Sequence, residues 1–153
     1  AVNRVQYINF NNVEQYLPRG SVHISVAKDT GSAARGAFFT GFMDGIPQAV
    51  GSIATATSSH AGHYKKNESY NKVSTADGSN ESSIELTDSY RGIVYHAYRT
   101  ECKPFVSEFF IDDVFMATKT TNLPATNMQP TFSGYHDGGE KDVHILYMEA
   151  YNT

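Results

Sequence analysis

Residues 106–119 read VSEFFIDDVFMATK, two runs of strand length rich in Phe, Val and Ile that meet at a pair of aspartates. Aromatic and β-branched side chains fit a pleated surface better than a helix. Asp is among the few residues other than Gly that tolerate the positive φ of a two-residue hairpin, although Asp-Gly would be the stronger turn. The segment therefore predicts an antiparallel hairpin turning at Asp112-Asp113, with Phe109 and Ile111 on one face and Val106, Glu108 and Phe110 on the other. A calcium site at the two aspartates is the alternative, and it would need more oxygen ligands from another loop; the structural hairpin is preferred.

The same short alternation recurs along the chain, bounded by Gly, Asn, Asp and Ser clusters. In SVHISVAKD, Val22, Ile24 and Val26 share one face and His23, Ser25 and Ala27 the other. GAFFTGFMDG and AVGSIATAT are candidate strands, and so are SSIELTD, GIVYHAYRTE, MQPTFSGY and DVHILYMEAYN. The last places Val143, Ile145, Tyr147, Glu149 and Tyr151 opposite His144, Leu146, Met148 and Ala150. Both sets are substantially apolar, which predicts a central strand covered on two sides. The stretch from Ser58 to Ser82 holds few bulky apolar residues and many turn formers, and is read as a loop or excursion.

Ten Tyr, nine Phe and twelve Gly, with few windows rich in helix formers, point to an all-β chain. Many short strands with turns between them mean two packed antiparallel sheets, and 153 residues suit one domain, residues 1–153. Cys102 is the single cysteine, so no internal disulfide holds the fold; a buried inert thiol is expected. A net charge of -4 with scattered cations argues against a nucleic-acid partner. No run is apolar enough to insert in a bilayer, AVNRVQYINF lacks the pattern of a signal peptide, and the chain reads as soluble. Ala1 is the kind of residue exposed by removal of an initiator Met, which fits a nearly whole reading frame and equally a cut domain.

For chemistry, polysaccharide hydrolysis would require two carboxylates at a set spacing. The single-strand Glu-x-Asp-x-(x)-Glu arrangement is absent, leaving Glu85, Glu108 and Glu149 as strand residues that could pair across strands but are read as solvated. In VYHAYR, His96 and Tyr98 fall on one face, as a lyase acid-base pair or as packed neighbours; the packed reading is preferred. His60 and His63 are three apart in a glycine-containing polar segment without Cys or carboxylate ligands at suitable spacing, so no metal is expected there. No nucleophile elbow, phosphate loop or dinucleotide fingerprint occurs, and neither catalytic residues nor cofactors are assigned. A binding surface remains. Sugars offer apolar ring faces for stacking and hydroxyls for hydrogen bonds. Tyr64, Asn67 and Tyr70 in one loop, Tyr135, His136 and Asp137 in another, and His96 with Tyr98 form the candidate ligand-binding set.

His96 and Tyr98, Phe109 to Asp113, Asn122 to Pro124, Met128 to Pro130, the closing DVHILYMEAYN and the earlier AFFTGFMDG together resemble the strand and hairpin pattern of concanavalin A-like jelly-roll domains. The resemblance spans about residues 20–153, with departures in the absence of Trp and in Asp113 where the usual turn has Gly. It implies a two-sheet antiparallel jelly-roll sandwich of the kind found in lectins, polysaccharide-active enzymes and viral surface proteins. The expected function is a non-enzymatic surface module, virion-associated or adhesin-like and located on a virion or outside the cell. Its expected partners are a glycan, other virion proteins or copies of itself. A small polysaccharide lyase or glycoside hydrolase is the first alternative, and a purely structural capsid or decoration subunit the second.

Overall fold

The computed structural model describes residues 4–9, 16–29, 36–45, 58–66, 71–86, 94–136 and 143–153. Every regular element among them is a strand: β1 Arg4–Asn9, β2 Ser21–Asp29, β3 Gly36–Met43, β4 Ser59–Lys66, β5 Lys72–Asp77, β6 Glu81–Glu85, β7 His96–Lys103, β8 Val106–Ile111, β9 Val114–Lys119, β10 Gln129–His136 and β11 Val143–Asn152. They form a six-stranded sheet in the order β1-β10-β3-β4-β5-β6 and a five-stranded sheet in the order β11-β2-β7-β8-β9. All neighbouring pairs are antiparallel. The result is a jelly-roll sandwich.

The β8–β9 hairpin turns at Asp112 and Asp113, whose φ values of 52° and 62° are both positive, as a tight turn matched to strand twist requires. Asp112 also ties the turn to β7. Its backbone N–H donates to the Ala97 carbonyl at 2.8 Å, its Oδ1 accepts the Ala97 N–H at 2.8 Å, and its Oδ2 lies 2.6 Å from His96 Nδ1. Phe109 and Ile111 point inward to join Phe38, Val73, Tyr98 and Phe132 in one core cluster; Tyr16, Phe42, Ala61, Cys102 and Met128 form a second. Burial pushes the Cys102 thiol up to about 12, so it is an inert packing group.

The inter-sheet layer is unusually polar where β2 enters it. The set His23, Ser25 and Ala27 is buried, with Ser25 Oγ 2.6 Å from Thr40 Oγ1 of the facing sheet, while Ile24 and Val26 are only partly covered.

Two expectations from the sequence are corrected. Residues 58–82 are not an excursion but contain β4, β5 and the start of β6. Small and polar residues can occupy these strands because the Phe39 ring and the Thr40 carbonyl leave no room for a Cβ at Gly62, Ser74 and Ala76 are fully buried, and Ala61 and Val73 suffice to face the core. The second correction is β11, which pairs with β2 alone among the described residues and is therefore an edge strand. Its register shifts between Ile145 and Tyr147, so Leu146 occupies a bulge. Beyond it, Met148 and Ala150 pair with the inward residues Ser25 and His23, and Tyr147, Glu149 and Tyr151 with the outward residues Val26, Ile24 and Val22. Strict alternation missed that change of face. The expected strand AVGSIATAT lies outside the described residues.

Candidate functional site

β3 and β4 approach so closely that each carries a glycine on the outer face of the six-stranded sheet. A Cβ at Gly41, where φ is 155°, would lie 2.3 Å from the Ala61 carbonyl oxygen and 2.5 Å from Gly62 Cα. A Cβ at Gly62 would lie 2.6 Å from the Thr40 carbonyl oxygen and 2.7 Å from two ring carbons of Phe39, whose ring therefore lies over that glycine. Thr131, Gly41, Gly62, Ser74 and Ser83 follow one another in register across five strands. Ser133, Phe39, Tyr64, Lys72 and Glu85 form the adjacent row.

His60 stands beside these rows. Its Nδ1 is 3.0 Å from the Ser58 carbonyl, which can only accept, so Nδ1 carries the proton and Nε2 accepts from the Ser74 hydroxyl at 2.7 Å. The ring meets Phe39 edge-on, with centroids 5.8 Å apart. Toward β6 the face opens. Tyr64 and Lys72 are half-buried, Ser83 and Glu85 are exposed, and Lys72 Nζ lies 3.9 Å from Glu85 Oε2. One aromatic ring, an amine, a carboxylate and a hydroxyl thus stand on neighbouring positions of a rigid sheet. That combination suits a ligand with an apolar face edged by hydroxyls.

The residues selected from sequence fall into two groups. Tyr64 belongs to this face. Tyr135 pairs with Val5 and Ala37, and His136 with Arg4 and Gly36. Since Ala37 also pairs with Lys66, the ends of β4 and β10 lie at the same end of the sheet. Asn67, Tyr70 and Asp137 lie outside the described residues. His96 and Tyr98 belong to the other sheet. Their rings are 6.4 Å apart, and Tyr98 is buried against Phe38 at 5.6 Å and His63 at 5.3 Å. Ser74 and Lys72 escaped sequence reasoning because β4 and β5 were read as a loop, and for the same reason His60, weighed only as a metal ligand, and Glu85, weighed only as a catalytic carboxylate, were not joined to Tyr64 or Phe39; the glycines at 41 and 62 were the available signal.

The three strand glutamates do not converge. Glu85 lies on the six-stranded sheet, whereas Glu108 and Glu149 are on strands of the other. There Glu108 accepts from Lys103 Nζ at 2.5 Å, and Glu149 accepts from the Tyr147 hydroxyl. Among the described residues, no group of three or more His, Cys, Asp or Glu side chains could hold a metal ion. No helix among them is long and apolar enough to cross a membrane.

No protein-family model and no curated protein matches the sequence. Solved structures do match the fold. Bacillus licheniformis β-glucanase is similar over 92% of this chain and 69% of its own, with a TM-score of 0.68 at 12% identity. The metal-free carbohydrate recognition domain of Emp46p is similar over 97% of this chain and 78% of its own, with a TM-score of 0.69 at 14% identity. Sheep galectin-11 covers 97% and 96%, with a TM-score of 0.57 at 12% identity. The chain has the concanavalin A-like jelly-roll fold, as the hairpin pattern in its sequence implied. At these identities the likeness establishes architecture, and chemistry must come from the residues.

Proposed function

We propose that the protein is a non-enzymatic glycan-binding module whose site is the outer face of the six-stranded sheet, centred on Tyr64, Lys72, Ser83 and Glu85. The observation that carries this reading is the row Phe39, Tyr64, Lys72, Glu85, which runs from a buried ring to an exposed carboxylate. Tyr64 would stack on a sugar ring, while Lys72, Glu85 and Ser83 would exchange hydrogen bonds with its hydroxyls. Similar folds carry carbohydrate recognition in Emp46p and belong to a β-glucanase, which supports a sugar as ligand. The separation of Glu85, Glu108 and Glu149 between two sheets supports binding without hydrolysis. In this reading the module is displayed on a surface, as a virion-associated or adhesin-like protein, and meets glycans, neighbouring proteins or its own copies there.

A glycan array with the purified protein tests the proposal. Binding should weaken about tenfold or more on Tyr64→Ala, equivalent to about 1.4 kcal/mol, with an unchanged melting midpoint. Binding that survives both Tyr64→Ala and Lys72→Ala would move the site elsewhere. Release of new reducing ends from a screened polysaccharide would replace the binder with an enzyme.

A further inference from the structure

His23 of β2 and His63 of β4 face each other's sheets across the sandwich, and both are wholly buried. His63 donates from Nε2 to the Arg99 carbonyl at 3.2 Å, but among the described residues its Nδ1 has no hydrogen-bond partner. Among them neither ring nitrogen of His23 has one, nor does the hydroxyl of Thr100, which pairs with His23 across β2 and β7. Buried polar atoms are nearly always satisfied, so several orphans in one layer are a marked departure. The chain had an apolar alternative. Val22, Ile24 and Val26 alternate with His23 and Ser25, and a shift of one residue in β2 would have exchanged the two sets.

The surroundings determine what a proton would meet. His23 meets the Phe42 ring of β3 edge-on and pairs with Thr100 of β7 and Ala150 of β11. His63 faces Tyr98 from β7, Phe109 from β8 and Val73 from β5. The charged residues buried among the described residues are Lys65 of β4 and Lys119 of β9, both of the wrong sign. His96 lies at the rim, where Asp112 holds it. No carboxylate is buried among the described residues.

We propose that the His23–His63 layer makes the sandwich acid-releasable: neutral rings pack the two sheets together, and protonated rings would bring two like charges into a layer where no described residue buries a carboxylate, so that the sheets part. Burial holds His63 down at about 4 and His23 at about 3, the latter lowered further by His63. An opened chain takes up these protons near 6.5, whereas the closed sandwich resists them until well below. Stability contributed by the neutral pair is therefore full above about pH 6.5 and falls as the pH drops toward the two depressed values. The upper part of that window precedes carboxylate titration, which makes it attributable to histidine.

Thermal melting of the intact protein between about pH 7 and pH 5 tests this. The midpoint should fall by about 10 °C in the unmodified protein. His23→Leu and His63→Leu should each flatten that dependence, and His144→Gln, on an exposed position of β11, should leave it unchanged. Leucine variants that melt in parallel with the unmodified protein would overturn the proposal. Should a leucine variant fail to fold, histidine-ring NMR of the unmodified protein decides: both rings should stay neutral at about pH 5, and titration of both near 6.5 would overturn the proposal.

Discussion

The two sheets turn different surfaces outward. On the six-stranded sheet most outer positions of β3, β4, β5 and β10 (Phe39, Gly41, Met43, His60, Gly62, Ser74, Ala76, Thr131 and Ser133) are inaccessible, and the face opens toward Tyr64, Lys72 and β6. On the five-stranded sheet the outer face is an ion-pair ladder. Arg99 lies 4.0 Å above the Phe110 ring and 2.9 Å from Glu101, and Lys103 reaches Glu101 at 3.2 Å and Glu108 at 2.5 Å. Phe115, Tyr147 and Tyr151 are about half exposed around it. At Gly41 and Gly62 the first surface is fixed by backbone approach and cannot take one methyl group without moving a strand. The second is made of long side chains in water and can be rearranged cheaply.

Substitutions can break this contrast, beginning with the largest effect. Gly41→Val should prevent folding or cost more than about 4 kcal/mol, because its Cβ meets backbone that cannot turn aside; a soluble, cooperatively melting variant would show that β3 and β4 are not so close. Phe39→Ala should cost about 3–5 kcal/mol in denaturant unfolding, like a core truncation, although Phe39 faces away from the inter-sheet core. A cost below about 1 kcal/mol would place the outer face among ordinary surfaces.

Asp112→Ala comes next, at about 1–3 kcal/mol, since it strips the Ala97 N–H and His96 of their acceptor. On the opposite sheet Glu108→Ala should cost no more than about 1 kcal/mol, and less at high salt, because the Lys103 pair is partly solvated. Smallest of all is Asp113→Gly, expected within about 0.5 kcal/mol of neutral or slightly stabilising, since the 92% exposed side chain lies 3.7 Å from Arg99 while the backbone holds positive φ. Calcium and chelator should give equal melting midpoints; a calcium-dependent rise abolished by Asp113→Gly would make the turn a metal site instead.

Alternation and turn chemistry were enough to specify the β-sandwich class, the hairpin at Asp112-Asp113 and the shared face of Phe109 and Ile111, because a period of two and positive-φ turns are local properties; which face turned inward was settled by packing. Tyr64 was likewise recognisable as an aromatic among polar neighbours. Its partners were not. Gly62, Ser74 and Ala76 look like loop residues in a one-dimensional reading, and they become strand residues through the pairing of β3, β4 and β5, which leaves no room for a Cβ at Gly62 and buries Ser74 and Ala76. The bulge at Leu146 and the full burial of His23 while Ile24 and Val26 stay only partly covered are decisions of the same kind. Each depends on which strand pairs alongside and which sheet packs above, and those are contacts between residues far apart in sequence.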